Sequence, residues 1–168
     1  MTNLLPLLVI PTAAVLSWPV SRLLVWALEP TPGSPAHARL ERMLARLGGR
    51  SLAVDQDWRQ YIRALLVFSA VAFATCLAIL LLQGYLPLNP DGRGALKWDL
   101  AFHTAVSFAT NTNLQHYSGE AAMSHFSQLF ALMWLQFVSA ATGLAALAAL
   151  ARGLAGRARP GNFQRDLL

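Results

Sequence analysis

Charge is scarce in this chain. Asp, Glu, Lys and Arg make up only 12% of its 168 residues, whereas hydrophobic residues make up 55%. Soluble domains carry roughly 25% charged residues, so a water-soluble fold of this length would lack the polar side chains to cover its surface. Cysteine is almost missing. The single Cys76 excludes an internal disulfide, a multi-cysteine metal site and a C-x-x-C-H haem attachment. No G-x-S-x-G elbow, GxxxxGK[ST] phosphate loop or dinucleotide fingerprint occurs. The histidines (His37, His103, His116 and His125) do not form the i, i+4 pair of a helical zinc site. The net charge of +5 does not point to nucleic acid, because the basic residues flank apolar stretches and are not interleaved with stacking aromatics.

The chain does have long apolar runs. The first, from Leu4 to Leu28, holds Arg22 as its one charge and is interrupted by Pro6, Pro11 and Pro19. Membrane helices tolerate proline because neighbouring groups satisfy the freed carbonyls. A cleaved signal peptide is the alternative, opposed by the lack of a basic residue near Met1 and of a cleavage pattern after Ala13 and Ala14. The second run, Ala64 to Leu82, is free of charge and matches the roughly 20 residues that cross a bilayer. The third, from about Phe126 to Leu150, carries Gln136 and the small-residue stripe Ser139 to Gly143, which suits close helix packing.

The arginines fix an expected orientation. Arg39, Arg42, Arg46, Arg50, Arg59 and Arg63 lie between the first two runs, and Arg152, Arg157, Arg159 and Arg165 follow the third. The connection from Gln83 to Ser124 has only Arg93 and Lys97, balanced by Asp91, Asp99 and Glu120. The positive-inside rule therefore predicts an exterior N-terminus and middle connection, with the first connection and C-terminal tail in the cytoplasm. Leu40 to Leu47, arginine-rich with apolar positions at helical spacing, fits either a helix on the inner membrane surface or a solvated one.

The middle connection is the informative one. Trp98 to Ala109 is apolar enough to leave water and too short to cross, so it reads as a buried or re-entrant half-helix, with Asp99 expected to cap its first turn. Thr110-Asn111-Thr112-Asn113-Leu114-Gln115 follows, polar and without helical period. One reading is an ion filter: an extended backbone whose carbonyls replace the hydration shell of an alkali cation, with the negative C-terminal end of the half-helix aimed at it. The other is a helix-capping turn outside the membrane.

Several blocks in order resemble a known family. Leu86-Pro87-Leu88-Asn89-Pro90, Ala101 to Phe108, Thr110 to Asn113, Tyr117-Ser118-Gly119-Glu120, Ser124 to Gln128, Ser139 to Gly143 and Gly161-Asn162-Phe163 resemble the first pore repeat of the bacterial potassium-transporting ATPase A chain, the KdpA family. The family's pattern usually has Asn where this chain has His103, Trp where it has Leu114, and Asn where it has Phe137. The resemblance implies an all-α membrane protein with a potassium-channel-like helix, pore helix, filter and helix repeat, preceded by one extra transmembrane helix.

The expected divisions are a first transmembrane helix at 1–29, a cytoplasmic connection at 30–61, a single pore repeat at 62–152 and a cytoplasmic tail at 153–168. Within the repeat they are a transmembrane helix at 64–83, pore helix at 99–109, filter at 110–115 and transmembrane helix at 125–151. Thr110, Asn111, Thr112 and Asn113 would bind K+, the transported ion, mainly through backbone carbonyls, and no organic cofactor is implied. The implied partners are a P-type ATPase catalytic subunit that hydrolyses ATP, small accessory subunits, membrane lipids and the remaining pore repeats, with no nucleic acid. The D-K-T-G phosphorylation motif of P-type ATPases is absent, so this chain is expected to be non-catalytic. The implied location is the bacterial inner membrane. Since the family's pore needs four repeats, the chain is a fragment, a split-gene product or a subunit completed by others. A non-conducting accessory membrane protein is the alternative function.

Overall fold

The computed structural model describes residues 5–28, seven single positions between 35 and 52, and 54–168. Most of the expected cytoplasmic connection, including most of Leu40 to Leu47 and all of His37, lies outside the described residues. The chain forms two compact units, Met1–Ala53 and Val54–Leu168. The elements among the described residues are all helical, with no strand beyond an isolated bridge between Gln56 and Gly161.

In the first unit, α1 spans Leu5–Leu28 and contains Pro11 and Pro19. Ser17 and Ser21 donate their hydroxyls to the carbonyls of Ala14 and Trp18, both at 2.8 Å, so the polar side chains of this apolar helix bond to its own backbone. That is how Ser enters a membrane-type helix cheaply.

The second unit begins with α2, Trp58–Leu82, which starts before the 64–83 read from hydropathy because polar residues supply its first turns. Asp57 accepts from the Gln60 amide at 2.7 Å and Gln60 Oε1 accepts from the Asp57 amide at 3.0 Å, a reciprocal cap that fixes the start. Its 25 residues extend about 37 Å, enough to cross a hydrocarbon core of about 30 Å. Beyond a 3-10 turn at Gln83–Tyr85 comes α3, Trp98–Ala109, which at 12 residues reaches only about 18 Å. Lys97 is its N-cap residue without a side-chain bond. The expected cap at Asp99 is therefore corrected: Asp99 lies within the first turn, where its charge still suits the helix dipole.

A short α4 (Gly119–Ala122) leads to α5 (His125–Ser127), which passes through a π-helical segment, Gln128–Met133, into α6 (Trp134–Leu154). Together α5 to α6 form the 30-residue apolar helix His125–Leu154. Among the described residues, three helices are thus long and apolar enough to cross a membrane, in α1, α2 and α5 to α6. The last helix, α7 (Phe163–Leu167), is capped by Asn162, whose Oδ1 accepts from the Arg165 amide at 3.1 Å.

Packing sets the order of these elements. Ala72, Cys76 and Leu80 form one stripe of α2, and Ala101, Ala105 and Phe108 form one stripe of α3. These meet Ala131, Leu132 and Leu135 of the third crossing in one buried cluster, with small alanines letting the helices approach. At the other end of α2, Tyr61 packs with Ala145 of α6 and Phe163 of α7. Because the start of α2 meets late α6 while its end meets Ser124 and Ser127, the two long helices run antiparallel.

Candidate functional site

The buried amide of Gln83 determines where the middle connection goes. Its Nε2 donates to the carbonyls of Gly94 at 2.7 Å and Ala122 at 2.9 Å, so one side chain holds both limbs of the excursion that contains α3. Its Oε1 accepts from the Ser124 amide at 3.1 Å and the Ser127 hydroxyl at 2.9 Å. All four bonds of the amide are used, which is what permits it to sit at 1% exposure. The chain leaves the end of α2, runs along α2 as α3, and returns to the place it left.

At the far end of that excursion, the main chain winds rather than extends. Thr110 donates its amide to Val106 O at 2.9 Å, Asn111 to Phe108 O at 3.2 Å, and Thr112 and Asn113 to Ser107 O at 2.8 and 3.2 Å. The expected extended strand is thereby corrected: Asn111 (φ 56°) and Asn113 (φ 54°) have positive φ and Thr112 between them does not. Asn is among the few L-residues that take this region readily. The Thr110 and Thr112 hydroxyls meet at 2.8 Å, and Asn113 Nδ2 lies 3.4 Å from Asn111 Oδ1, tying alternate side chains together.

These bonds orient the carbonyls. Every peptide here is trans, so an amide pointing back at α3 leaves the carbonyl of the preceding residue pointing away from it. The Leu114 amide also points back, donating to Ser107 Oγ at 2.6 Å. The main-chain oxygens of Ala109, Thr110, Asn111, Thr112 and Asn113 therefore all face away from the helix end. Among the described residues, no donor reaches any of them. The segment caps α3 and turns a row of oxygens away from it. The helix dipole is relayed, because each amide bonded to an α3 carbonyl hands the negative end to its own peptide's oxygen. Oxygen dipoles without charge suit a hard monovalent cation.

The His103 and His116 rings meet at a 50° tilt with centroids 4.4 Å apart, and His103 Nδ1 is buried without a hydrogen bond among the described residues. No group of three or more His, Cys, Asp or Glu is positioned to hold a metal among the described residues. On the return limb, the Ser118 hydroxyl donates to Glu120 Oε2 at 2.7 Å and holds that carboxyl below its ordinary range.

A family model described as the potassium-transporting ATPase A subunit matches residues 7–168 of this chain. The chain belongs to that family. It is 52% identical over 128 residues to the potassium-transporting ATPase potassium-binding subunit of Gloeobacter violaceus, covering 76% of this chain and 22% of the relative. To the subunit of the same description in Pseudomonas putida it is 51% identical over 136 residues, covering 80% of this chain and 24% of the relative. A Bacteroides fragilis relative is 41% identical over 158 residues, 92% of this chain and 28% of that protein. The chain spans about a quarter of the length of these relatives.

The arrangement adds two residues to those read from sequence. Thr110, Asn111, Thr112 and Asn113 lie together on the oxygen row, and all are exposed in this chain. Ser107 and Gln83 were not singled out, although they do most of the positioning. A lone hydroxyl near the end of an apolar half-helix, and a lone amide at the end of an uncharged crossing, were the available signals. Leu114, where the family's pattern has Trp, follows the row and is exposed; Phe137 on α6 is exposed as well.

Proposed function

We propose that this chain supplies one wall of a potassium pathway in an ATP-driven potassium importer. The observation that carries the proposal is the row of main-chain oxygens from Ala109 to Asn113, which accept no hydrogen bond from the described residues, in a member of this family. Oxygens left bare and exposed at the end of a re-entrant half-helix are open to a partner from outside the chain. A partly dehydrated K+ is such a partner, with Thr110, Asn111, Thr112 and Asn113 as its ligands through their carbonyls. In this reading α2, α3, the 110–115 segment and α5 to α6 make up one channel-like repeat, and α1 is an additional crossing.

One such wall replaces only part of an ion's hydration shell. Further repeats, on the same or another chain, would complete the ring. The proposed partners are those repeats, a P-type ATPase subunit that hydrolyses ATP, small accessory subunits and the lipid of a bacterial inner membrane. The chain itself binds and passes the ion and carries no hydrolytic step. Its proposed topology is multi-pass, with the N-terminus outside and the C-terminus in the cytoplasm.

The test is to titrate K+ against ATPase stimulation in the assembled complex, comparing the parent with Asn113→Val at equal folded protein. A raised K+ midpoint for the variant supports the reading. Equal midpoints would leave a non-conducting accessory role.

A further inference from the structure

Ser107 sits one turn from the end of α3 and is 5% exposed, in a helix whose other buried residues are Ala101, Thr104, Ala105 and Phe108. A hydroxyl there has few ways to be satisfied. Serine in a helix usually returns its hydroxyl to a carbonyl one turn back. Ser107 instead reaches forward: its Oγ accepts from the Leu114 amide at 2.6 Å and donates to the Leu114 carbonyl at 3.1 Å. Its own carbonyl receives the amides of Thr112 and Asn113. One residue thus holds the peptide planes on both sides of Thr112 and Asn113.

The two parts of Ser107 do different jobs. Its main chain orients the oxygens of Asn111 and Thr112, a role any residue at this position keeps. Its hydroxyl alone holds the Leu114 amide and hence, through the trans peptide, aims the oxygen of Asn113. Asn113 is also where the backbone must leave its left-handed conformation, and no other described group bonds to the Leu114 amide. Without the hydroxyl, the last oxygen of the row is free to rotate with its peptide.

We propose that Ser107 is a positioning residue whose hydroxyl sets the ion preference of the oxygen row, by fixing the Asn113–Leu114 peptide at the spacing a potassium-sized cation needs. A carbonyl held in place cannot follow a smaller ion inward, whereas a freed one can. The hydroxyl therefore matters more for the ratio of K+ to Na+ than for binding any cation. This rests on the reading of 110–113 as an ion site, and the two can fail separately.

The experiment uses the assembled complex with Ser107→Ala and with the size-matched Ser107→Cys, a much weaker hydrogen-bonding side chain. K+ and Na+ are each titrated against ATPase stimulation, and assembly is checked by yield and melting temperature. The expected result is a K+ midpoint raised by about tenfold, the equivalent of one hydrogen bond, with the Na+ midpoint shifted much less and the melting temperature close to the parent's. Equal shifts for both ions would mean a merely structural role and overturn the proposal. So would unchanged midpoints in a complex where Asn113→Val still impairs K+, a result that spares the ion site and removes only Ser107. If Ser107→Ala fails to assemble, Ser107→Cys decides alone. If neither assembles, Ser107 is a folding residue and the proposal falls.

Discussion

Arg152 Nη2 donates to Asp166 Oδ1 across 3.0 Å, joining α6 to α7 through an ion pair whose side chains are 6% and 2% exposed. The Tyr61 hydroxyl adds a third element: it lies 3.0 Å from Asp166 Oδ2 and 2.7 Å from the Ala145 carbonyl, sharing one proton between them. Arg152 also donates to the Pro160 carbonyl at 2.7 Å. This cluster ties α7 against α2 and α6, at the end of the unit opposite Gln83.

A pair so deeply buried is costly to break from one side. Asp166→Ala leaves the guanidinium desolvated without its counter-charge, and the expected loss is about 3 to 5 kcal/mol. Gly161 carries a related constraint: its φ is +107°, and a Cβ there would stand 2.5 Å from Arg152 Nη1. Gly161→Ala is therefore expected to displace the arginine and lower stability as well. Thermal melts of the purified protein in detergent check both, and a change under about 1 kcal/mol in either would show the cluster to be solvated.

Gln83 is the corresponding device at the other end. Gln83→Leu keeps the volume but strands the Gly94 and Ala122 carbonyls, the Ser124 amide and the Ser127 hydroxyl. Ser124 and Ser127 are buried, and each buried group left unpaired costs about 1 to 3 kcal/mol. The expected outcome is release of the limbs at 94 and 122 and faster proteolysis between them, with α2 and α6 still helical by circular dichroism. Parent-like resistance to protease would mean that other contacts hold the excursion.

The three crossings and the half-helix were legible because composition and length carry them. Apolar runs near 20 residues declare a membrane span, and Trp98 to Ala109 declares itself too short for one. The first turns of α2 were not legible, since Trp58 to Arg63 mixes charge with aromatics and its cap depends on the Asp57–Gln60 pair. The winding of Thr110 to Asn113 was also hidden. Small polar residues without a period look extended in a sequence, but the positive φ at Asn111 and Asn113 accompanies amides that turn back to Phe108 and Ser107, contacts no sequence pattern displays. The resemblance supplied the identity of the row's residues, while the geometry supplies what holds it.

Orientation gives a prediction that no packing argument can replace. Arginines cluster before α2 and after α6, whereas the excursion between α2 and α5 has few. Reporter fusions after Pro35 and after Arg159 are expected to read cytoplasmic, and one near Arg93 exterior. A cytoplasmic signal at Arg93 would invert the expected topology and remove the proposed ion-site reading with it.

Asn113 separates backbone from side chain in the proposed ion site. Its φ of +54° is a region glycine enters freely and β-branched residues avoid. Asn113→Gly removes the side chain and its 3.4 Å approach to Asn111 but keeps the backbone within reach of its present conformation. Asn113→Val opposes that conformation by about 1 to 2 kcal/mol and crowds the row. If main-chain oxygens hold the ion, the Val variant should raise the K+ midpoint of ATPase stimulation by about tenfold or more, with a distinctly smaller rise for Gly. Changing His37, in the connection before α2, should leave the midpoint alone. If Gly and Val were equally impaired, the Asn113 side chain itself would be the ligand, and the carbonyl row would lose its role at that position.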